Sequence, residues 1–434
     1  ENEVDLAKQN TKESLKQQRA QPSFLANEMV SRVMFGEHPY SVIAPTPESI
    51  DATTRKRLVE FHRAVFVPNN AVFIVVGAVQ AEAMHEQIEK LFSAWQAGEP
   101  PVDRFPAPPE RTSRVAYLID RPGSAQSNIV IANSGVNRTS PDYFPLLLMH
   151  TVLGATASSR LFMNLREEKG YTYGAYSNLD ARRAAGTFRA TAEVRSTVTG
   201  ASLKEFFYEL DRIRAAPVSE KEIADAKSYL TGVFPLRLET QEGLIDQLVQ
   251  IKMLDLPEDH LQTYRDRVQA VTVEQIQRVA QKYVRPDQAA IVIVGDGAEV
   301  IEQIKPYCED IQVFNTAGKP KALPAPGIDA AELNTLAGTW ALEIQTPFGQ
   351  DIPATLTLVE AKDGFTGKIE SEMGAGELAD VVLNGKEFQA MLAFEMEGHA
   401  VSANIKGSAE GRRLEGDITL QNLQPLRFTG IREE

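Results

Sequence analysis

The feature that most constrains this chain is a segment that occurs twice at a fixed spacing. Val67-Pro-Asn-Asn-Ala-Val-Phe-Ile-Val-Val-Gly77 reads like Arg285-Pro-Asp-Gln-Ala-Ala-Ile-Val-Ile-Val-Gly295, and both 286 − 68 and 295 − 77 give 218. Ala52 and Thr54 match Ala270 and Thr272 at the same offset. Each copy continues into an amphipathic helical pattern, His85–Trp95 in one and Glu299–Tyr307 in the other. A constant offset sustained over such a stretch marks duplication rather than two chance helix–turn–strand units. The runs Ala71–Ala78 and Ala289–Gly295 are short, apolar and β-branched, which predicts buried strands.

The second copy begins at the strand Arg114–Asp120, after a proline-rich linker over Gly98–Ser113. Subtracting 218 from 114 places the start of the first copy about a hundred residues before Glu1. The chain opens Glu1-Asn-Glu-Val rather than with Met, and no signal peptide is present, so the expectation is that residues once preceded Glu1. Within the second copy, Val115–Asp120, Ser127–Asn133, Gly174–Ser177 and Gly186–Val194 read as strands. Tyr143–Leu153, Leu203–Ala215, Glu220–Leu236 and Gln241–Met253 read as helices. A second linker, Thr316–Ile328, precedes short alternating segments punctuated by Gly, at Gly338-Thr-Trp340, Asp363–Lys368, Leu383-Asn-Gly385 and Leu414-Glu-Gly416. The predicted class is α+β: two homologous α/β sandwich repeats, the first truncated, followed by a small antiparallel β barrel or sandwich. The corresponding division is 1–97, a linker at 98–113, 114–313, a linker at 314–330, and 331–434.

Composition narrows the function. The 434 residues suggest two to four domains, and 43% apolar with 24% charged residues suits a chain with real cores. A net charge of −14 argues against nucleic acid as partner, and no run of about 18 apolar residues predicts a membrane span. The single cysteine, Cys308, excludes an internal disulfide and a Cys-based zinc cluster. Exported and cytosolic placements both fit; the missing Met and the appended β region favour the bacterial periplasm or exterior.

No complete active site can be assembled from the residues. His38, His62, His85, His150, His260 and His399 include no HExxH or HxxEH pair one helical turn apart. Glu37-His38 mimics the end of HxxEH, but position 34 is Met. There is no GxSxG elbow and no GxxxxGK loop. His150, in Leu147-Leu-Met-His-Thr-Val-Leu-Gly154, reads as a core histidine. One stretch stands out, Ala157-Ser-Ser-Arg-Leu-Phe-Met-Asn-Leu-Arg-Glu-Glu-Lys-Gly-Tyr-Thr-Tyr-Gly-Ala-Tyr-Ser177. Read without a relative, its Arg166 pairs with Glu167 or Glu168 and its Tyr173 packs in a strand.

This stretch closely resembles the second-half signature of the pitrilysin, insulysin and mitochondrial-processing-peptidase family of inverzincin metallopeptidases. Phe35-Gly-Glu-His-Pro-Tyr40, Pro68-Asn-Asn70 and Asp120-Arg-Pro-Gly-Ser-Ala-Gln126 are similar to other family segments in the same order, so the resemblance spans roughly residues 5–312. It implies that Arg166 and Tyr173 reach across to an active site, bind substrate backbone and steady the tetrahedral intermediate; both are strong donors toward developing negative charge. The family binds zinc through HxxEH and a Glu on a later helix. Aligning Leu6–Ala20 with that helix places Glu13 at the third-ligand position. Lys8–Arg19 departs from the family's acidic, Arg-rich sequence there, so an ordinary solvated helix face stays open as the alternative. The resemblance thus implies a zinc metalloendopeptidase acting on extended peptides along a sheet edge. This chain would be its receiving half, inactive alone, and would partner a missing N-terminal segment or a homologous HxxEH-bearing subunit. A noncatalytic or scaffold subunit lending Arg166 and Tyr173 in trans is the second possibility. A ligand-binding role of the C-terminal β region, around Trp340, is the third.

Overall fold

The computed structural model describes residues 2–102, 104–321, 336–345, 351–361, 364–372, 374–384, 387–396, 399–420 and 425–433. They form two compact units, Glu1–Pro320 and Lys321–Glu434. The division falls inside the second predicted linker, most of which lies outside the described residues.

The first unit opens with helices α1 (Asn2–Arg19), α2 (Pro22–Phe35), α3 (Pro47–Asp51), α4 (Arg55–Val65) and α5 (Ala81–Phe92). Strands β1 (Val115–Asp120) and β2 (Gln126–Ser134) follow, then α6 (Tyr143–His150), the short α7 (Arg160–Phe162), and strands β3 (Thr172–Ala181) and β4 (Gly186–Arg195). Helices α8 (Thr199–Ala215), α9 (Glu220–Leu236), α10 (Gln241–Met253), α11 (His260–Gln269) and α12 (Val273–Tyr283) lead to β5 (Ala290–Gly295), α13 (Gly297–Ile304) and β6 (Ile311–Phe314). The six strands form one sheet in the order β3-β4-β2-β5-β1-β6. At its centre β5 lies parallel to β1 and antiparallel to β2. All six residues of β5 are buried, which explains its unbroken apolar run. Helix α2 covers one face of this sheet, packing Leu25, Met29, Val30 and Phe35 against Tyr117, Ile119, Val130, Val292 and Val294.

The duplication is visible in the elements. Adding 218 to α4 gives the bounds of α12, and adding it to the turn Pro68–Asn70 gives Pro286–Gln288. Thr54 and Thr272 cap the paired helices alike, each side chain accepting from a backbone N–H three residues on. The same offset carries Asn2 to Glu220 and Pro22 to within a residue of Gln241, pairing α1 with α9 and α2 with α10.

One expectation fails here. Ala71–Ala78 joins no sheet; Val72, Phe73 and Val75 are 61%, 65% and 40% exposed. Its apolar sequence suits a central strand, but among the described residues it has no neighbouring strand to supply the ladder hydrogen bonds. The predicted helix His85–Trp95 also shifts, to Ala81–Phe92.

Tyr143–Glu168 is the longest apolar helical stretch and, by length and composition alone, could cross a bilayer. It is a core element instead: Leu146, Leu148, Met149, Leu153, Leu161 and Leu165 are fully buried. Gly154 breaks it, leaving two π turns, Thr151–Ala155 and Met163–Glu168, on either side of α7.

In the second unit eight strands run from β7 (Gly338–Gln345) through β8 (Asp351–Ala361), β9 (Gly364–Ser371), β10 (Gly374–Asn384), β11 (Glu387–Met396), β12 (His399–Glu410) and β13 (Arg413–Leu420) to β14 (Leu426–Arg432). Each pairs antiparallel with the next, and β14 closes on β7 to make a barrel, which abolishes sheet edges. Side chains alternate inward and outward, and the interior is filled by Trp340, Leu356, Phe388, Ile405, Leu414 and Phe428. Two glycines expected as punctuation prove to be strand interior. Gly367 lies in β9, and Gly416 lies in β13, where a Cβ would stand 2.6 Å from the ring of Phe428. The expected turn residues Asp363 and Gly385 lie outside the described residues.

Candidate functional site

Arg166 and Tyr173 are placed by two departures from regular structure. Arg166 sits in the π turn Met163–Glu168, with its guanidinium carbon 4.7 Å from the centroid of the Phe162 ring and Nη1 3.6 Å from Glu167 Oε1. Its side chain remains 45% exposed, so the stack and the loose pair orient the fork without consuming it. Tyr173 lies near the start of β3, one of the two edge strands of the sheet. The pairing of β3 with β4 slips between Thr172 and Ala175, and Thr172 Oγ1 donates to the carbonyl of Glu193 at 2.6 Å. This bulge turns Tyr173 out of the sheet, where it is 90% exposed. A Cβ at Gly174 would meet the Tyr176 ring at 2.6 Å, so a side chain there would push that half-exposed ring aside. A strand-packing role for Tyr173 is therefore not what the structure shows, whereas the pairing of Arg166 with Glu167 is present.

Behind the motif lies a polar scaffold that the sequence reading did not pick out. Arg160 Nε and Nη2 donate to Glu222 Oε1 and Oε2 at 2.7 and 3.0 Å, a two-point ion pair in which Arg160 is nearly buried. Burial acts to raise the Glu222 pKa, but the bonds from Arg160 and from the Ser219 backbone prevail and bring it down to about 2. Asn164 Nδ2 donates to Glu205 and to the buried Glu209, tying the π turn to α8. A cavity of about 300 Å³ opens among Thr156, Ser159, Arg160, Asn164, Glu209 and Tyr229. A signal for Glu222 was available: Ser219-Glu-Lys-Glu222 is a capping box, and the same carboxylate that takes the Ser219 N–H takes Arg160. Nothing local in the sequence links Arg160 to a partner 62 residues away.

Three of the histidines, His150, His260 and His38, take structural roles. His150 Nδ1 and Ser177 Oγ are 2.7 Å apart, and Ser177 Oγ donates to the His150 carbonyl at 3.0 Å, so a ring N–H donating to the hydroxyl satisfies both groups. Burial lowers its pKa to about 4, keeping the ring neutral. His260, also lowered to about 4 by burial and then by Arg138 and Arg267, has Nε2 3.2 Å from Arg138 Nη2. His38 Nδ1 accepts the Tyr40 N–H and caps a tight turn.

Glu13 is exposed on α1, whose one buried residue is Leu15. Among the described residues no group of three or more His, Cys, Asp or Glu side chains is placed to hold a metal ion. The donor set present does not fit a zinc centre, and no zinc chemistry can be drawn from these residues by themselves. A concavity of about 1230 Å³ belongs to the barrel unit; Glu343, Glu370, Glu372, Arg413 and Glu415 line it, without a nucleophile–base arrangement among its described residues.

Comparison with known proteins agrees with this picture. The sequence profile described as "Peptidase M16 inactive domain" matches residues 52–230. An uncharacterized zinc protease of Streptomyces coelicolor is 24% identical over 286 residues, 65% of this chain and 62% of its own length. The chain thus spans less than two thirds of that relative. A probable inactive metalloprotease of Bacillus subtilis is 21% identical over 238 residues, 54% of each chain. The crystal structure of a peptidase M16 inactive domain from Pseudomonas fluorescens matches with TM-score 0.63 and 25% identity, covering 68% of this chain and 70% of that one. The repeat, the motif around Arg166 and Tyr173, the sheet they sit on and these relatives point to one likeness: residues 52–230 match the M16 inactive-domain profile, and the fold is similar to that of the M16 inactive domain from Pseudomonas fluorescens.

Proposed function

We propose that this chain is the non-metal half of an M16 assembly, a scaffold subunit that presents Arg166 and Tyr173 to an extended peptide held with a partner carrying the zinc motif. The observation that carries this reading is the bulge at Thr172–Ala175, which leaves Tyr173 almost wholly exposed on an edge strand. An unburied tyrosine does little for stability, and an edge strand has free backbone groups to offer an extended chain. The donor chemistry fits: a guanidinium fork and a phenol favour an oxyanion over the carbonyl from which it forms. This chain's own residues bind and orient; the partner supplies the metal.

The test is hydrolysis of a fluorogenic peptide by the assembled complex. Arg166→Ala is expected to lower kcat/KM by about 10²–10³ and Tyr173→Phe by a smaller factor, in line with loss of one oxyanion donor. Neither should move the melting temperature. Equal loss of stability and turnover would return both residues to a packing role. A second reading is that no peptide is cleaved anywhere in the assembly and the chain is purely structural. The similarity to a protein named as a probable inactive metalloprotease favours it. It predicts an assembly that forms normally and shows no turnover with or without added zinc.

A further inference from the structure

The cavity beside Arg160 and Asn164 is walled by polar atoms that the protein itself leaves unmatched. Arg160 uses Nε and Nη2 on Glu222, and its third nitrogen, Nη1, is buried with no partner among the described residues. Asn164 is held by two carboxylates: Nδ2 donates to Glu205 and to Glu209, which fixes the orientation of the amide. Its Oδ1 is the acceptor left over, and it too is buried with no partner. The two residues are only 9% and 5% exposed. A buried donor or acceptor without a partner carries the whole cost of leaving water, and native proteins keep such atoms where something else meets them. Both side chains line the same cavity of about 300 Å³, the lower end of the range for small-molecule sites.

The charge of the lining narrows what fits. Arg160 and Arg212 are set against four carboxylates, Glu168, Glu209, Glu222 and Asp225, so the cavity is net negative and disfavours an anion. The carboxylates do not gather around a metal ion: among the described residues no group of three His, Cys, Asp or Glu side chains is placed to hold one. Two of the four are already committed. Glu222 takes Arg160 and the Ser219 N–H, and the buried Glu209 takes Asn164 and Arg212. Glu168 and Asp225 are exposed and mark the solvent side. Asp225 pairs with Lys221 at 2.6 Å, but both partners are exposed and such a pair is worth little. The cavity therefore offers one unmatched donor and one unmatched acceptor in its wall, with negative charge at its mouth.

We propose that this cavity binds an α-ammonium group followed by an amide, the chemistry shared by the amino end of a peptide and a free amino-acid amide. The amide carbonyl accepts from Arg160 Nη1, the amide N–H donates to Asn164 Oδ1, and the ammonium lies against Glu168 and Asp225. A free amino acid fits less well, because its carboxylate has no N–H for Asn164 and meets a net negative wall. An acetylated amine lacks the charge that the mouth attracts. The inference uses neither Arg166 nor Tyr173 and holds whether or not any peptide is cleaved.

The test titrates the 434-residue chain with glycinamide, glycine and N-acetylglycinamide by calorimetry at pH 7 and low ionic strength. Glycinamide is expected to bind at one site, and the other two at least about 10-fold more weakly, the factor for one lost charge-assisted bond. Glu168→Gln with Asp225→Asn, both at exposed positions, should weaken glycinamide about 10-fold toward the affinity of N-acetylglycinamide and leave the melting temperature unchanged. Arg160→Lys keeps a cation for Glu222 but removes Nη1, and should weaken glycinamide by a similar factor. Triglycinamide separates the two sources: affinity equal to or above that of glycinamide marks the amino end of a peptide, and weaker binding marks the free amide. Equal or tighter binding of glycine or N-acetylglycinamide overturns the proposal, as does binding that neither variant weakens. Absence of saturable binding by glycinamide and triglycinamide up to about 10 mM also overturns it, and assigns both unmatched atoms to water.

Discussion

Arg160 reaches Glu222 through two charge-assisted bonds, with its guanidinium almost out of water. Arg160→Ala leaves Glu222 facing a cavity without its cation. It is expected to cost about 2–4 kcal/mol, somewhat below the range for breaking a fully buried pair because Glu222 keeps a partly wet edge. Urea denaturation read by tryptophan-independent far-UV circular dichroism measures this directly, and a change under about 0.5 kcal/mol would mark the pair as a surface contact. Glu222, His150 and His260 each contribute to the acid response. Folded Glu222 titrates at about 2 against 4.5 unfolded, so its contribution is complete above pH 4.5 and is lost as pH falls toward 2. Folded His150 and His260 titrate at about 4 against 6.5 unfolded, so the unfolded chain takes up protons first and stability falls between pH 6.5 and 4. For His150 this amounts to about 2–3 kcal/mol. His150→Gln should flatten the midpoint between pH 6.5 and 4; an unchanged slope would place the acid lability elsewhere. The motif that singled out Arg166 and Tyr173 was legible because its residues are contiguous. Arg160–Glu222 and Arg138–His260 were not, because their members meet only after the chain folds back 62 and 122 residues later.

At the scale of elements, the helices α9 and α10 and the strand β1 were read from the sequence to the residue, since capping boxes, apolar runs and glycine-proline breaks are local. What was not local was missed. Ala71–Ala78 has strand chemistry and no strand, because a ladder needs neighbours that a sequence window cannot certify. Gly416 reads as a turn and is strand, because the reason for a glycine there lies on other strands: a Cβ would stand 2.0 Å from the Lys406 carbonyl oxygen and 2.6 Å from the Phe428 ring. Gly154 is the clearest case of this kind near the site. It interrupts the apolar helix where β3 crosses, and a Cβ on it would stand 2.3 Å from the Ser177 backbone nitrogen. Backbone cannot swing aside as a flexible side chain can. Gly154→Ala should therefore push β3 from the helix, disturb the Ser177–His150 bonds and cost about 2–4 kcal/mol. A crystal structure or amide exchange across Tyr176–Asn178 would reveal the displacement; a variant with wild-type stability and exchange would show that the helix has slack.

For the whole molecule, charge and exposed apolar surface oppose one another. Phe61, Phe66, Val72, Phe73, Val75, Leu91 and Phe92 are all exposed within some thirty residues of sequence, and such a face drives association. The net charge of −14 works against it through mutual repulsion between copies. That repulsion is screened over about 10 Å at 0.1 M salt and about 3 Å at 1 M, while burial of apolar surface is not weakened by salt. The chain alone should therefore scatter as a monomer in dilute buffer at pH 8 and associate as NaCl rises toward 1 M. It should also associate as pH approaches the isoelectric point of about 5.1. Near that pH two effects combine, because the neutral histidines have begun to cost stability as the repulsion disappears. Salt separates them: at pH 8 the folded state is intact, so association there reports the exposed face alone. Phe73→Lys with Val75→Lys raises the charge to −12 and so slightly weakens repulsion, yet it should suppress association at 1 M NaCl by removing the apolar centre of the face. Static light scattering across a salt series discriminates the causes. If the double variant associates as readily as the parent, charge screening alone governs the behaviour, and the face around Phe73 is not the surface through which the chain meets other polypeptide.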